Sequence, residues 1–222
     1  MQNFDTPAPV SAIARIPAGL IRLVASDRAD ATVEVRPADA SKSRDVKAAE
    51  ATEVSYADGV LRIEVQEASN RVLGDSGSVE VTVHLPAGSH VDARTAAAEF
   101  RGVGRLGDVT FEGAAGSVEL DETASVRLTL QTGDVSVGRL GGPGEISTEK
   151  GGIHVSEAVR GTLTLRTGAG DISVTAARGV SAALDAGTGY GRIDNALRNT
   201  DGTPGLRIEA GTSYGDITAR SL

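Results

Sequence analysis

From Leu106 onward one short phrase keeps returning: a glycine or small residue, then polar, aliphatic, polar and aliphatic residues. It reads Gly107-Asp108-Val109-Thr110-Phe111, Gly116-Ser117-Val118-Glu119-Leu120, Val126-Arg127-Leu128-Thr129-Leu130 and Gly133-Asp134-Val135-Ser136-Val137. It returns as Gly144-Glu145-Ile146, Gly152-Ile153-His154-Val155, Gly161-Thr162-Leu163-Thr164-Leu165 and, most clearly, Gly170-Asp171-Ile172-Ser173-Val174. Looser copies around Leu184 and at Gly191-Arg192-Ile193 precede Leu206-Arg207-Ile208 and Gly215-Asp216-Ile217. Val109, Val118, Val126 and Val135 are 9, 8 and 9 residues apart, and later spacings drift between 7 and 15.

Alternation of apolar and polar residues is the two-residue period of a half-buried strand. Short strands of near-equal length, separated by glycine turns, are best explained by a solenoid in which each strand stacks on its equivalent in the next coil. A coil of two strands takes about 18 residues and advances about 4.8 Å, the strand spacing. Only 3% of the 222 residues are aromatic and 28 are glycine, which suits a narrow core of Val, Ile, Leu and Ala. The same glycines argue against a helical bundle, because each costs roughly 1 kcal/mol inside a helix. The expected fold is all-β: one solenoid domain over residues 1–222, regular over 101–222 and irregular over 1–100. Val118, Leu120, Ile153, Leu163, Leu165, Ile172 and Val174 are expected to point inward. Glu119, Arg127, His154, Thr164 and Ser173 are expected to point out.

In the N-terminal part, Val10–Ile16, Leu20–Val24, Ala31–Val35, Val60–Val65 and Val79–Leu85 read as longer strands. Residues 41–52 read as a charged surface insertion, a short helix or mobile loop. Asn70–Ser78 reads as a second polar loop.

Most chemistry is absent. The net charge is -8 with no basic stretch, so nucleic-acid binding is not expected. There is no cysteine, hence no disulfide and no Cys-ligated metal. The Met1-Gln2-Asn3-Phe4-Asp5 start is not a signal peptide and no apolar run reaches membrane-span length, so the expected location is the cytoplasm, without membrane insertion. Gly102-Val103-Gly104-Arg105-Leu106-Gly107 has dinucleotide-fingerprint spacing, but a strand, not the required helix, follows it. Asp108, Asp134, Asp171 and Asp216 each follow a glycine. Stacked aspartates invite calcium, but the full calcium repeat is missing, and an Asx-type turn on the residue's own backbone is the favoured reading. His84, His90 and His154 form no ligand pair. No catalytic residue, metal or cofactor is expected.

Phe4-Asp5-Thr6-Pro7, Val33-Glu34-Val35-Arg36-Pro37, Asp58-Gly59-Val60-Leu61-Arg62-Ile63 and the Gly-Asp-Ile repeats resemble the bacterial "putative adhesin" family, a domain of unknown function made of β-strand repeats. The resemblance implies a right-handed β-solenoid, ties to cell-envelope stress or surface exposure, and no catalytic residues.

Two functions follow as expectations. The first is a non-catalytic scaffold or protein-interaction module. The second is a carbohydrate-binding or carbohydrate-active β-helix. The strand at Ile217 ends close to Leu222, so little chain remains to cap the last coil. An open C-terminal coil carrying Tyr190, Tyr214 and Ile217 is therefore the expected contact surface, for a partner protein or for a homodimer. The alternative is that an N-terminal or inserted segment folds back as a cap.

Overall fold

The computed structural model describes residues 1–66, 77–199 and 202–222, and the chain divides into two compact units, Met1–Gly116 and Ser117–Leu222. The fold is an all-β solenoid. Most of the polar loop expected at Asn70–Ser78 lies outside the described residues.

The first unit holds β1 (Gln2–Asp5), β2 (Ser11–Arg15), β3 (Ala18–Ser26), β4 (Asp30–Pro37), α1 (Ser43–Glu50), β5 (Thr52–Ala57), β6 (Val60–Val65), β7 (Val79–Pro86) and β8 (His90–Ala115). All five longer strands expected there are present; β1, β5 and residues 90–105 of β8 are additional. The N-terminal coil β2–β3 lies inside its ladders: β2 is paired in parallel by β6 and β8, and β3 by β7 and β8. The outermost coil, β6–β7, is covered by antiparallel strands, β5 on β6 and β4 on β7, with β1 on β4. Residues 102–107 run inside β8, with no helix after them.

The stretch expected as a surface insertion is a helix plus the start of β5. It is anchored by the apolar Ala48, buried in the core, and by an acidic side chain. Asp45 is buried, and its Oδ1 accepts the Ser78 N–H at 3.0 Å.

The second unit holds β9 (Val118–Thr132), β10 (Val135–Leu140), β11 (Gly144–Lys150), β12 (Ile153–Ala158), β13 (Gly161–Ala169), β14 (Ile172–Ala176), β15 (Ala182–Tyr190), β16 (Ile193–Ala196), β17 (Leu206–Tyr214) and β18 (Ile217–Ser221). Each coil has two strands, so two parallel ladders form. One stacks the first half of β9, then β10, β12, β14, β18 and β16. The other stacks the second half of β9, then β11, β13, β17 and β15. The seven residues expected inside are at most 2% exposed. Glu119, Arg127 and His154 are exposed, and Thr164 and Ser173 are half-buried.

The last two coils stack out of chain order. β17–β18 sits between β13–β14 and β15–β16, so the C-terminal coil is interior and the coil before it is the outermost. This overturns the expectation that the chain end forms the open end. The core explains the exchange. β17–β18 offers Leu206, Ile208, Ala210, Ile217 and Ala219 to the interior. The matching positions of β15–β16 are Ala182, Leu184, Ala186, Ile193 and Asn195. Ala182 and Leu206 are both buried, so that pair does not decide the order. In the exchanged order Asn195 would take the buried place of Ala219, and leaving its amide without partners there would cost about 1–3 kcal/mol.

Candidate interaction surface

The coil corners are held by two side-chain ladders. On the inside, threonines three residues before a glycine, buried at 167 and 212 and half-buried at 188, donate to the glycine carbonyl of the neighbouring coil. Thr167 Oγ1 donates to Gly151 O at 2.9 Å, Thr212 to Gly170 O at 3.1 Å and Thr188 to Gly215 O at 2.9 Å. The repeated Thr-x-x-Gly at 148–151, 167–170, 188–191 and 212–215 carries this ladder in the sequence. Sequence reasoning passed over it because threonine reads as an outward residue.

On the outside stand the aspartates. Asp134 Oδ1 accepts the Gly152 N–H at 2.7 Å, Asp171 Oδ1 that of Asp216 at 2.7 Å, and Asp216 Oδ1 that of Arg192 at 2.8 Å. The expected turn onto the residue's own backbone is thus corrected: these carboxylates staple the next coil. Asp108, in the first unit, faces His90, whose Nδ1 accepts the Asp108 N–H at 3.1 Å. His154 is exposed beside Ser156. Among the described residues no group of three His, Cys, Asp or Glu is placed to hold a metal ion. No helix among them is long and apolar enough to cross a membrane.

The Arg192 amide and then its guanidinium hold the Asp216 carboxyl below the usual carboxylate range. A carboxyl with a lowered folded-state pKa stabilises the fold above its unfolded value, about 4, and loses that contribution as pH falls through the folded value. Asp30 and Asp39 shift the same way, through Arg28 and Ser41 respectively. The urea midpoint should therefore fall as pH drops below about 4, and Asp216→Asn should show a shallower fall than the wild type.

The outermost coil gathers what the core leaves over. Tyr190 and Tyr214 lie on adjacent rungs, with rings 5.1 Å apart and 4° from parallel. They are 71% and 60% exposed, and Ile193 is 45% exposed. Ile217 is not part of this surface. It is 1% exposed and paired with Ile172 on one side and Ile193 on the other. Ile193 holds the outer position that was expected of Ile217.

Beside this edge, on the outer face of β13, β17 and β15, lies a shallow trough of about 220 Å³. Arg166, Asp185 and Glu209 line it, and Gly187 and Gly211 form its floor. A Cβ at either glycine would meet no atom within 4 Å. None of these five residues was singled out from the sequence. The signal for the two glycines was the duplicated Ala-Gly-Thr-x-Tyr-Gly at 186–191 and 210–215, which directly follows Asp185 and Glu209; Arg166 had none.

No curated protein matches the chain. Among solved structures it is similar to a "putative adhesin" from Bacteroides fragilis, at 11% identity and a TM-score of 0.50, covering 98% of this chain and 95% of that one. It is also similar to a "putative adhesin" from Parabacteroides distasonis, at 15% identity and a TM-score of 0.49, with the same 98% and 95% coverage. Residues 53–220 match the model of the Toastrack DUF4097 family. With that match extending over most of its length, the chain belongs to the Toastrack DUF4097 family.

Proposed function

We propose that the chain is a non-catalytic β-solenoid scaffold working as a protein-interaction module, with the β15–β16 coil as its contact surface. The observation that carries this reading is the exposed Tyr190 and Ile193 on a coil with no further strand beyond it among the described residues, with the exposed Tyr214 of the next coil stacked on Tyr190. Exposed aromatic and aliphatic residues grouped at one edge mark protein contact sites. The similar protein from Bacteroides fragilis is named a "putative adhesin", which accords with a role in surface interaction. The contact serves a cytoplasmic scaffold and a surface protein alike.

Outer-face charges support a structural role. Arg139 lies between Glu122 and Glu157, and Arg127 pairs with Glu145, each across neighbouring coils. The carbohydrate-active alternative draws support from Asp185 and Glu209 on adjacent rungs. However, their trough is smaller than the roughly 300–1,000 Å³ usual for small-molecule sites, and it has no aromatic wall.

A photoreactive phenylalanine analogue at position 190, with one at Arg178 as control, tests the proposal in lysate of the source cells. Discrete adducts are expected at 190 alone, and Ile193→Asp should abolish them. Equal labelling at both positions, or none at 190, overturns it.

A further inference from the structure

The two units end their ladders differently. In the first, the outermost coil is covered by β5 and β4, which run antiparallel to it. In the second, no described strand covers β15. Ser181 turns its carbonyl to β17, accepting the Gly205 and Leu206 N–H groups, whereas Ala182 turns its N–H the other way, to Arg198 O. Strand alternation then directs the backbone groups of Leu184, Ala186 and Thr188 to the open edge. The inward-facing side chains of these residues are only half-buried. Such an edge is a template for one more strand.

Charge says what that strand carries. Along one outer row the rungs run Arg127, Glu145, Thr164, Glu209 and Asp185. Arg127 answers Glu145 at 3.5 Å, but the row closes on two acids. No ion pair joins Asp185 or Glu209 among the described residues. On β15 and β16 the outward charges are Asp185 and Asp194, while Arg192 is engaged by Asp216 at 3.3 Å. Opposite charges on facing strand positions are favourable and like charges are not. A second copy of the chain, itself at net charge -8, would add acidic rather than basic charge beside Asp185 and Glu209. A basic strand suffers no such repulsion, and the glycine floor leaves room for a long side chain.

We propose that the open edge of β15 takes an extended segment of a partner protein by strand addition, the segment alternating aliphatic and basic residues, with one Lys or Arg lying in the trough beside Asp185 and Glu209. The aliphatic residues cover Leu184 and Ala186, and the basic stem lies over Gly187 and Gly211. Arg166, at the trough wall, opposes the incoming cation. This inference rests on the interaction-module reading and names the class of partner.

The test titrates the full chain with an eight-residue peptide alternating valine and lysine, and with its valine–glutamate counterpart. The lysine peptide should bind and the glutamate peptide should not. Asp185→Lys should weaken binding at least tenfold, while Glu99→Lys, the same charge change on the first unit, should alter it less than twofold. Ala186→Pro, which removes one edge N–H, should also weaken it, and Arg166→Ala should strengthen it. Equal losses from Asp185→Lys and Glu99→Lys reveal diffuse charge attraction and overturn the proposal. So does self-association that Ala186→Pro abolishes, because the occupant would then be a second copy. If the peptide fails while position 190 still forms discrete adducts, the strand chemistry alone falls; if both fail, the interaction-module reading falls too.

Discussion

Gly170→Ala should unfold the second unit at a melting midpoint roughly 5–20 °C below the wild type, while Gly211→Ala should leave the midpoint unchanged or raise it slightly. Gly170 sits at a coil corner with φ +152°, and a Cβ there would lie 2.1 Å from the Gly151 carbonyl oxygen. That atom belongs to the backbone of the next coil, so no side chain can move aside to relieve the clash. The Gly170 N–H is also committed to Tyr214 O, and its carbonyl accepts the Thr212 hydroxyl. Strained backbone costs about 1–3 kcal/mol and overpacking about as much again. Their sum, roughly 2–6 kcal/mol, corresponds to the predicted shift at about 2–4 °C per kcal/mol for a chain of this size. Gly211 has open space at its Cβ and no positive φ. Alanine there restricts the unfolded chain and should contribute up to about 1 kcal/mol. Equal melting midpoints for the two variants, followed by circular dichroism, would show that the glycine corners do not set the coil spacing.

The repeat made the coils readable, because a strand whose alternate residues are buried has only one workable face. Leu163, Leu165, Ile172 and Val174 follow that rule, and each proved to be core. The order of the last coils was not readable in the same way. Leu184-Asp185-Ala186-Gly187-Thr188 and Ile208-Glu209-Ala210-Gly211-Thr212 present nearly the same edge and the same corner, so either could stack on β13. The choice turns on a pair that a repeat search treats as equivalent, Ala219 against Asn195. The candidate surface inherits that difficulty. Tyr190 and Tyr214 stood out as rare residues, but Ile193 takes the place expected of Ile217 only because the C-terminal coil slips inside. The aspartates were read locally, as turn residues, whereas Asp171 and Asp216 reach a backbone 45 and 24 residues away in the chain. Pattern along the chain carries the rung and its faces; stacking order arises from competition between rungs.

Leu163→Ala should destabilise the second unit by about 2–5 kcal/mol, and its neighbour Thr164→Ala should change stability by no more than about 0.5 kcal/mol. Leu163 is fully buried on β13 and faces Gly144 on one flank and Ile208 on the other. Gly144 has no side chain, and the Leu163 Cδ1 lies 2.9 Å from where its Cβ would be, so this leucine fills space left by its neighbour. Truncation therefore opens a cavity beside a position that cannot close it, which points to the upper part of the range. Thr164 projects to the outer face, and its hydroxyl makes one long contact, 3.4 Å, to Glu209 Oε2. Water replaces that contact at little cost. Urea unfolding of the two variants separates them: the Leu163→Ala midpoint should fall at unchanged slope, because the cavity alters stability rather than the surface exposed on unfolding. Equal midpoints would mean that β13 is turned by one residue, which would also exchange Arg166 with Leu165 and remove the trough from the outer face.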